Sequence, residues 1–170
     1  MDLTGLLSGG DLRSIGQSNH VVGLIKNQAD FDNLFQFLFH ENRLIAMKAA
    51  DAIEKITVST GGYLTKHKHK LIRLCKQDLP KEIKWHLALL VSRITLYGTE
   101  LEEIWRVVSS WALDKTESRI VRVNSLQALF TITENHKQFR KELNAITVSL
   151  RNENIPSLNA RIKKLHNEHQ

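Results

Sequence analysis

Apolar residues return at helical spacing in three stretches that lie one fixed interval apart. Residues 43–57 read RLIAMKAADAIEKIT, residues 81–95 read KEIKWHLALLVSRIT and residues 119–133 read RIVRVNSLQALFTIT. Each closes on Ile-Thr, at Ile56-Thr57, Ile94-Thr95 and Ile132-Thr133, so a register of 38 residues is kept without an insertion. The apolar and small positions are Ile45, Ala49, Ala52, Ile53 and Ile56; Ile83, Leu87, Leu90, Val91 and Ile94; and Val121, Ser125, Ala128, Leu129 and Ile132. Steps of four, three, one and three hold all of these on one stripe of an α-helix. The pattern therefore predicts three amphipathic helices, none able to bury its stripe alone. Ala49, Ala52 and Ala128 let a neighbouring helix come close, and the larger side chains fill the groove between stacked units.

Looser helical patterns fill the intervals, over 31–39, 63–76, 101–113 and 139–150. A short helix, a turn and a second helix recurring at this length is the unit of an α-solenoid. The predicted architecture is all-α, one domain of about four hairpins over 28–57, 62–95, 100–133 and 136–165. Residues 1–27 hold five of the eight glycines and read as an N-terminal cap; 155–165 breaks the register and reads as a C-terminal cap. Asp30, Asn42 and Thr99 or Thr116 are the expected N-caps, and Gly61-Gly62 and Gly98 the expected stops. Phe31, Phe35, Phe37 and Phe39 are expected mostly in the core, packed on the N-terminal cap.

Over residues 28–165 the pattern resembles the HEAT-repeat family, whose second helix carries a Val-Arg pair ahead of an Ala-Leu-rich stripe. Val121-Arg122 with Ala128-Leu129 matches this, as does Ile83-Lys84, whereas Ile45-Ala46 lacks the base. The family also places an Asp six residues before that base. Asp78 stands there before Lys84, but Thr116 precedes Arg122 and His40 precedes Ala46. The resemblance implies a right-handed α-α superhelix, with Lys84 and Arg122 bonded to the Asp of their own or a neighbouring repeat. It implies little about function, because one solenoid serves many tasks.

Charge changes the picture once it is located. The chain carries a net +6, and residues 64–86 hold Lys66, Lys68, Lys70, Arg73, Lys76, Lys81 and Lys84 against only Asp78 and Glu82. The remainder is nearly balanced, so a basic face is the main departure from a generic helical repeat. Two ladders of equivalent bases, Arg43/Lys81/Arg119 and Lys55/Arg93, add to it. The single cysteine, Cys75, allows no internal disulfide and fits a reducing compartment, with the cytoplasm expected. The apolar runs are too short and too interrupted by charge for a signal peptide or a membrane span.

Little catalytic chemistry is in view. His67 and His69 point to opposite sides of a helix, His67 with Leu64, Leu71 and Leu74, and make a poor chelate. The pair His166 and His169 sits at a chain end and lacks a zinc spacing. There is no Ser-His-Asp grouping, phosphate loop or catalytic carboxylate pair, so no cofactor or metal is expected. The alkylpurine DNA glycosylases, which use a HEAT-like solenoid and a basic face lined with Trp, share bases and tryptophans with this chain, but it is shorter and their catalytic residues find no match. Trp111 continues the stripe of Leu101, Ile104, Val107 and Val108 and belongs in the core; Trp85 lies off the stripe beside Lys84, at an inter-repeat seam or on the inner surface.

The resulting expectation is a non-enzymatic scaffold that binds a protein through a concave, basic surface, using Lys66, Lys70, Arg73, Lys81, Lys84, Trp85, Arg93, Arg119 and Arg122. The alternative is duplex DNA or RNA binding through the cluster at 66–84.

Overall fold

A computed structural model of the chain describes residues 2–8 and 16–168, so part of the expected N-terminal cap, including Gly9 and Gly10, and His169 lie outside the described residues. Among the described residues every regular element is helical: ten α-helices joined by short loops and three 3-10 turns. They form two compact units, Met1–His67 and Lys68–Gln170. The division falls inside 62–95, the segment that the repeat pattern reads as one hairpin.

The first unit is built on α4 (Arg43–Thr57), against which α1 (Leu3–Leu7), α2 (Gly16–Leu24) and α3 (Gln28–Gln36) pack. Its stripe is closed: Ile45, Ala49, Ala52, Ile53 and Ile56 are all buried, and Ala46 and Ala50 beside them widen the close contact. Phe31 and Phe35 are fully buried, Phe37 is half-buried with its ring stacked on His40, and Phe39 is 46% exposed. Asn42 caps α4 as expected, its side chain accepting from the Leu44 N–H at 2.9 Å. Asp30 does not cap α3; Asn27 does, accepting from the Asp30 N–H at 3.0 Å. The helix expected over 63–76 is split, running as a 3-10 turn over Gly61–His67 and only then as an α-helix. Gly61 and Gly62 are poor helix formers.

The second unit comprises α5 (Lys68–Cys75), α6 (Lys81–Ser92), α7 (Gly98–Leu113), α8 (Arg119–Asn135), α9 (Arg140–Asn152) and α10 (Pro156–Glu168). Helix α8 is its centre, packed against α6, α7, α9 and α10. Eleven of its residues are buried, so it is enclosed on most sides and its amphipathic contrast is weak. Ser118 caps α8, where Thr116 was expected, and α7 begins at Gly98 behind Tyr97 with no side-chain cap from Thr99. Gly98 therefore opens a helix instead of stopping one, in the left-handed region at φ +51° that glycine tolerates. The turn from α9 to α10 uses Asn154 at φ 54°, a conformation that Asn adopts more readily than most residues, and Pro156 follows as the first residue of α10.

Candidate interaction surfaces

Most of the basic residues singled out by the sequence are already engaged within the fold. Arg122 is buried, its side chain only 3% exposed. Its Nε donates to the Ala112 carbonyl at 2.9 Å, while Nη1 and Nη2 donate to Glu153 at 3.0 and 2.8 Å, a two-pronged pairing of guanidinium and carboxylate. The Arg122 guanidinium holds the Glu153 carboxyl below its ordinary value. Lys84 pairs with Glu117, both side chains largely out of water. These two bases hold the fold together and are not available to a partner. Their acids stand in the turn ahead of the next helix down the chain, one hairpin on, so Lys84 bonds Glu117 and not Asp78. Asp78 stands in the corresponding turn, ahead of α6, but one period earlier than Lys84 stands Ala46, which has no charge to offer.

The helix α5 divides its bases between two tasks. Lys68 pairs with Glu100 at 2.5 Å and Lys76, just past the end of the helix, with Glu103 at 2.8 Å, fastening this stretch to α7. Lys70 and Arg73 are exposed, as is Lys81 at the start of α6, and none of the three has a side-chain partner among the described residues. In the first unit Lys66 is exposed but pairs with Asp32 at 2.9 Å. Arg119, the first residue of α8, is exposed. Arg93 is half-buried at the C-cap of α6 and engaged. Trp85 is half-buried, its ring edge-on to His86 and its carbonyl accepting from Asn124 Nδ2 at 3.1 Å, which places it at the seam of α6 and α8.

Apolar surface collects elsewhere in the second unit. Helices α7 and α9 flank a groove of about 570 Å³, lined by Glu102, Trp105, Arg106, Ser109, Leu113, Phe139, Glu142, Ala145 and Ile146. Its floor is rigid: Trp105 stacks on Phe139 with ring centres 4.3 Å apart and donates from Nε1 to Glu142 at 2.6 Å. Leu113 is 38% exposed at one end, and the buried Ser109 hydroxyl has no hydrogen-bond partner. Residues 102, 105, 106, 109 and 113 form one helical stripe, a signal present in the sequence but masked there by the stronger apolar stripe beside it. A second cavity, of about 390 Å³, lies where α6 and α8 end and is lined mainly by polar groups, among them Thr95, Tyr97, Asn135 and His136.

One half-buried acid, Asp32, is not singled out by the sequence. Asp32 gathers Lys66, His67 at 2.7 Å and Gln28 at 2.6 Å, and these donors, the Lys66 ammonium first, hold its carboxyl well below the usual carboxylate range. His67 is buried as its stripe predicts, stacked on Phe35 with ring centres 3.8 Å apart. Cys75 is a free, buried thiol, and desolvation pushes it up to about 12. Among the described residues no three His, Cys, Asp or Glu side chains are grouped to hold a metal ion, and no described helix is long and apolar enough to cross a membrane. No protein-family model, curated protein or solved structure matches this chain.

Proposed function

We propose that the chain is a non-enzymatic, HEAT-like α-solenoid that acts as a cytoplasmic scaffold and receives a protein partner in the groove between α7 and α9. The stacking is supported by the polar ties, which join residues about one period apart. Gln28 to Tyr63 and Lys66 to Asp32 do so in the first unit; Lys84 to Glu117, Trp105 to Glu142, Arg122 to Glu153 and Arg161 to Gln127 do so in the second. Their separations run from 31 to 37 residues, as expected when each hairpin touches the next one along.

The observation that carries the docking reading is the groove itself. Its floor of Trp105 and Phe139 is fixed by packing, its end is an exposed leucine, and charged residues border it, the anatomy of an aromatic anchor site with a polar margin. The basic face has lost the lead it held in the sequence, because Lys66, Lys84 and Arg122 are spent on internal pairs.

Affinity capture with the wild-type chain and with a Leu113→Arg, Ala145→Arg variant tests this. Both positions are exposed and helical, and an arginine near the end of α7 suits the helix dipole, so the variant keeps its fold. A defined protein retained by the wild type at about 500 mM salt, where exposed charge contacts are screened, and absent from the variant supports the groove. A partner held equally by both refutes it.

A further inference from the structure

The unpartnered half of α5 serves a second purpose. We infer that Lys70, Arg73 and Lys81 form a contact for the phosphodiester backbone of a nucleic acid, on a surface separate from the α7/α9 groove. Helix α5 is short, yet the bases on it and just after it are not equivalent. Lys68 and Lys76 each meet a glutamate of α7, whereas Lys70 and Arg73, three residues apart and so on one face, meet none among the described residues. Lys81 follows directly where the chain enters α6, also exposed and without a partner. Asp78 is exposed in the intervening loop and makes no ion pair with them among the described residues, and Glu82, next to Lys81, is buried.

The chemistry of the exposed side selects the partner. Leu71, Ile72, Leu74 and Cys75 are all buried, so α5 offers solvent only polar and charged groups. A protein partner draws its affinity from apolar and aromatic anchors, and this face has none. A polyphosphate backbone needs none, because affinity there comes from release of condensed counterions. Such a contact is blind to base sequence, since no side chain is placed to read a base edge.

The number of free bases makes the inference quantitative. Each phosphate neutralised on duplex DNA contributes about −0.9 to the slope of log affinity against log salt, so three contacts give about −2.7. Raising salt from about 50 to about 200 mM then weakens binding about 40-fold, whereas a five-base contact including Lys66 and Lys84 would weaken it about 500-fold.

Fluorescence anisotropy with labelled duplex DNA, duplex RNA and an acidic poly-glutamate peptide, on the wild-type chain and the Lys70→Ala, Arg73→Ala, Lys81→Ala variant, is the test. The expected result is duplex binding at the lower salt, a drop of about 40-fold at the higher, and loss of binding in the variant with its helical circular dichroism intact. Equal affinity for the two duplexes supports a generic backbone contact, and a preference for either names the source within the same chemistry. The inference is overturned by no duplex binding at the lower salt, by an unchanged variant, by the 500-fold drop, or by tighter binding of the acidic peptide than of either duplex.

Discussion

Replacing Arg122 by Ala removes a buried guanidinium and strands two groups at once. The Ala112 carbonyl loses its donor at 2.9 Å, and Glu153, whose side chain is only 13% exposed, loses the cation that keeps it ionised. Breaking a buried pair by deleting one partner costs about 3–5 kcal/mol. The lost packing of the side chain's stem falls within that range. In a chain of this length 1 kcal/mol moves the melting temperature by about 2–4 °C, so Arg122→Ala is expected to melt on the order of 10 °C lower. The paired substitution Arg122→Met, Glu153→Leu removes both charges and fills the space with apolar atoms, and it is expected to restore most of that loss. Thermal unfolding followed by circular dichroism on the wild type, Arg122→Ala, the single variants Arg122→Met and Glu153→Leu, and the double variant closes the cycle. A single-variant loss below about 1 kcal/mol, or a double variant no better than the singles, refutes the structural role assigned to the pair.

Two further expectations concern groups whose titration the fold has shifted. Asp32 has a folded-state value below that of the unfolded chain, so its contribution to stability is fully present above an ordinary carboxylate's pKa of about 4 and disappears as pH falls through the lower folded value. Asp32→Asn should therefore melt below the wild type at pH 7, with the gap closing towards pH 2; a gap that does not change with pH would contradict the Lys66, Gln28 and His67 cluster. Cys75, with its thiol pushed up to about 12, is expected to resist a thiol reagent in the folded chain and to react once urea unfolds it; fast labelling of the native protein would place it outside the core.

The regular helices were legible in the sequence because burial there depends on local spacing. Every stripe position of α4 and α8 is buried, down to Ser125, and so is each in the copy that contains α6. Caps were legible less often. Asn42 was found and Ser118 and Asn27 were missed, since several polar residues compete within each loop and only tertiary placement chooses among them. The partners of the bases were not legible at all. Glu117 and Glu153 lie 33 and 31 residues beyond Lys84 and Arg122, a distance across which no local period operates. The basic cluster looked like one surface because a count of charge does not reveal which charges the fold consumes.

The Ile-Thr pair that marks each period has two backbone fates. Thr57 and Thr133 stay helical, each hydroxyl donating at 2.8 Å to the carbonyl four residues back, while α6 stops at Ser92 and leaves Thr95 exposed in a loop. Only the isoleucine keeps its place out of water in all three copies. A residue inserted midway along α4 or α8 would turn the rest of the helix by about 100° and swing the remainder of its stripe off the core. The same insertion between Arg93 and Tyr97 can be absorbed by loop backbone. The middle copy is thus where this chain has slack, and where its length can change without altering the register of the helices on either side.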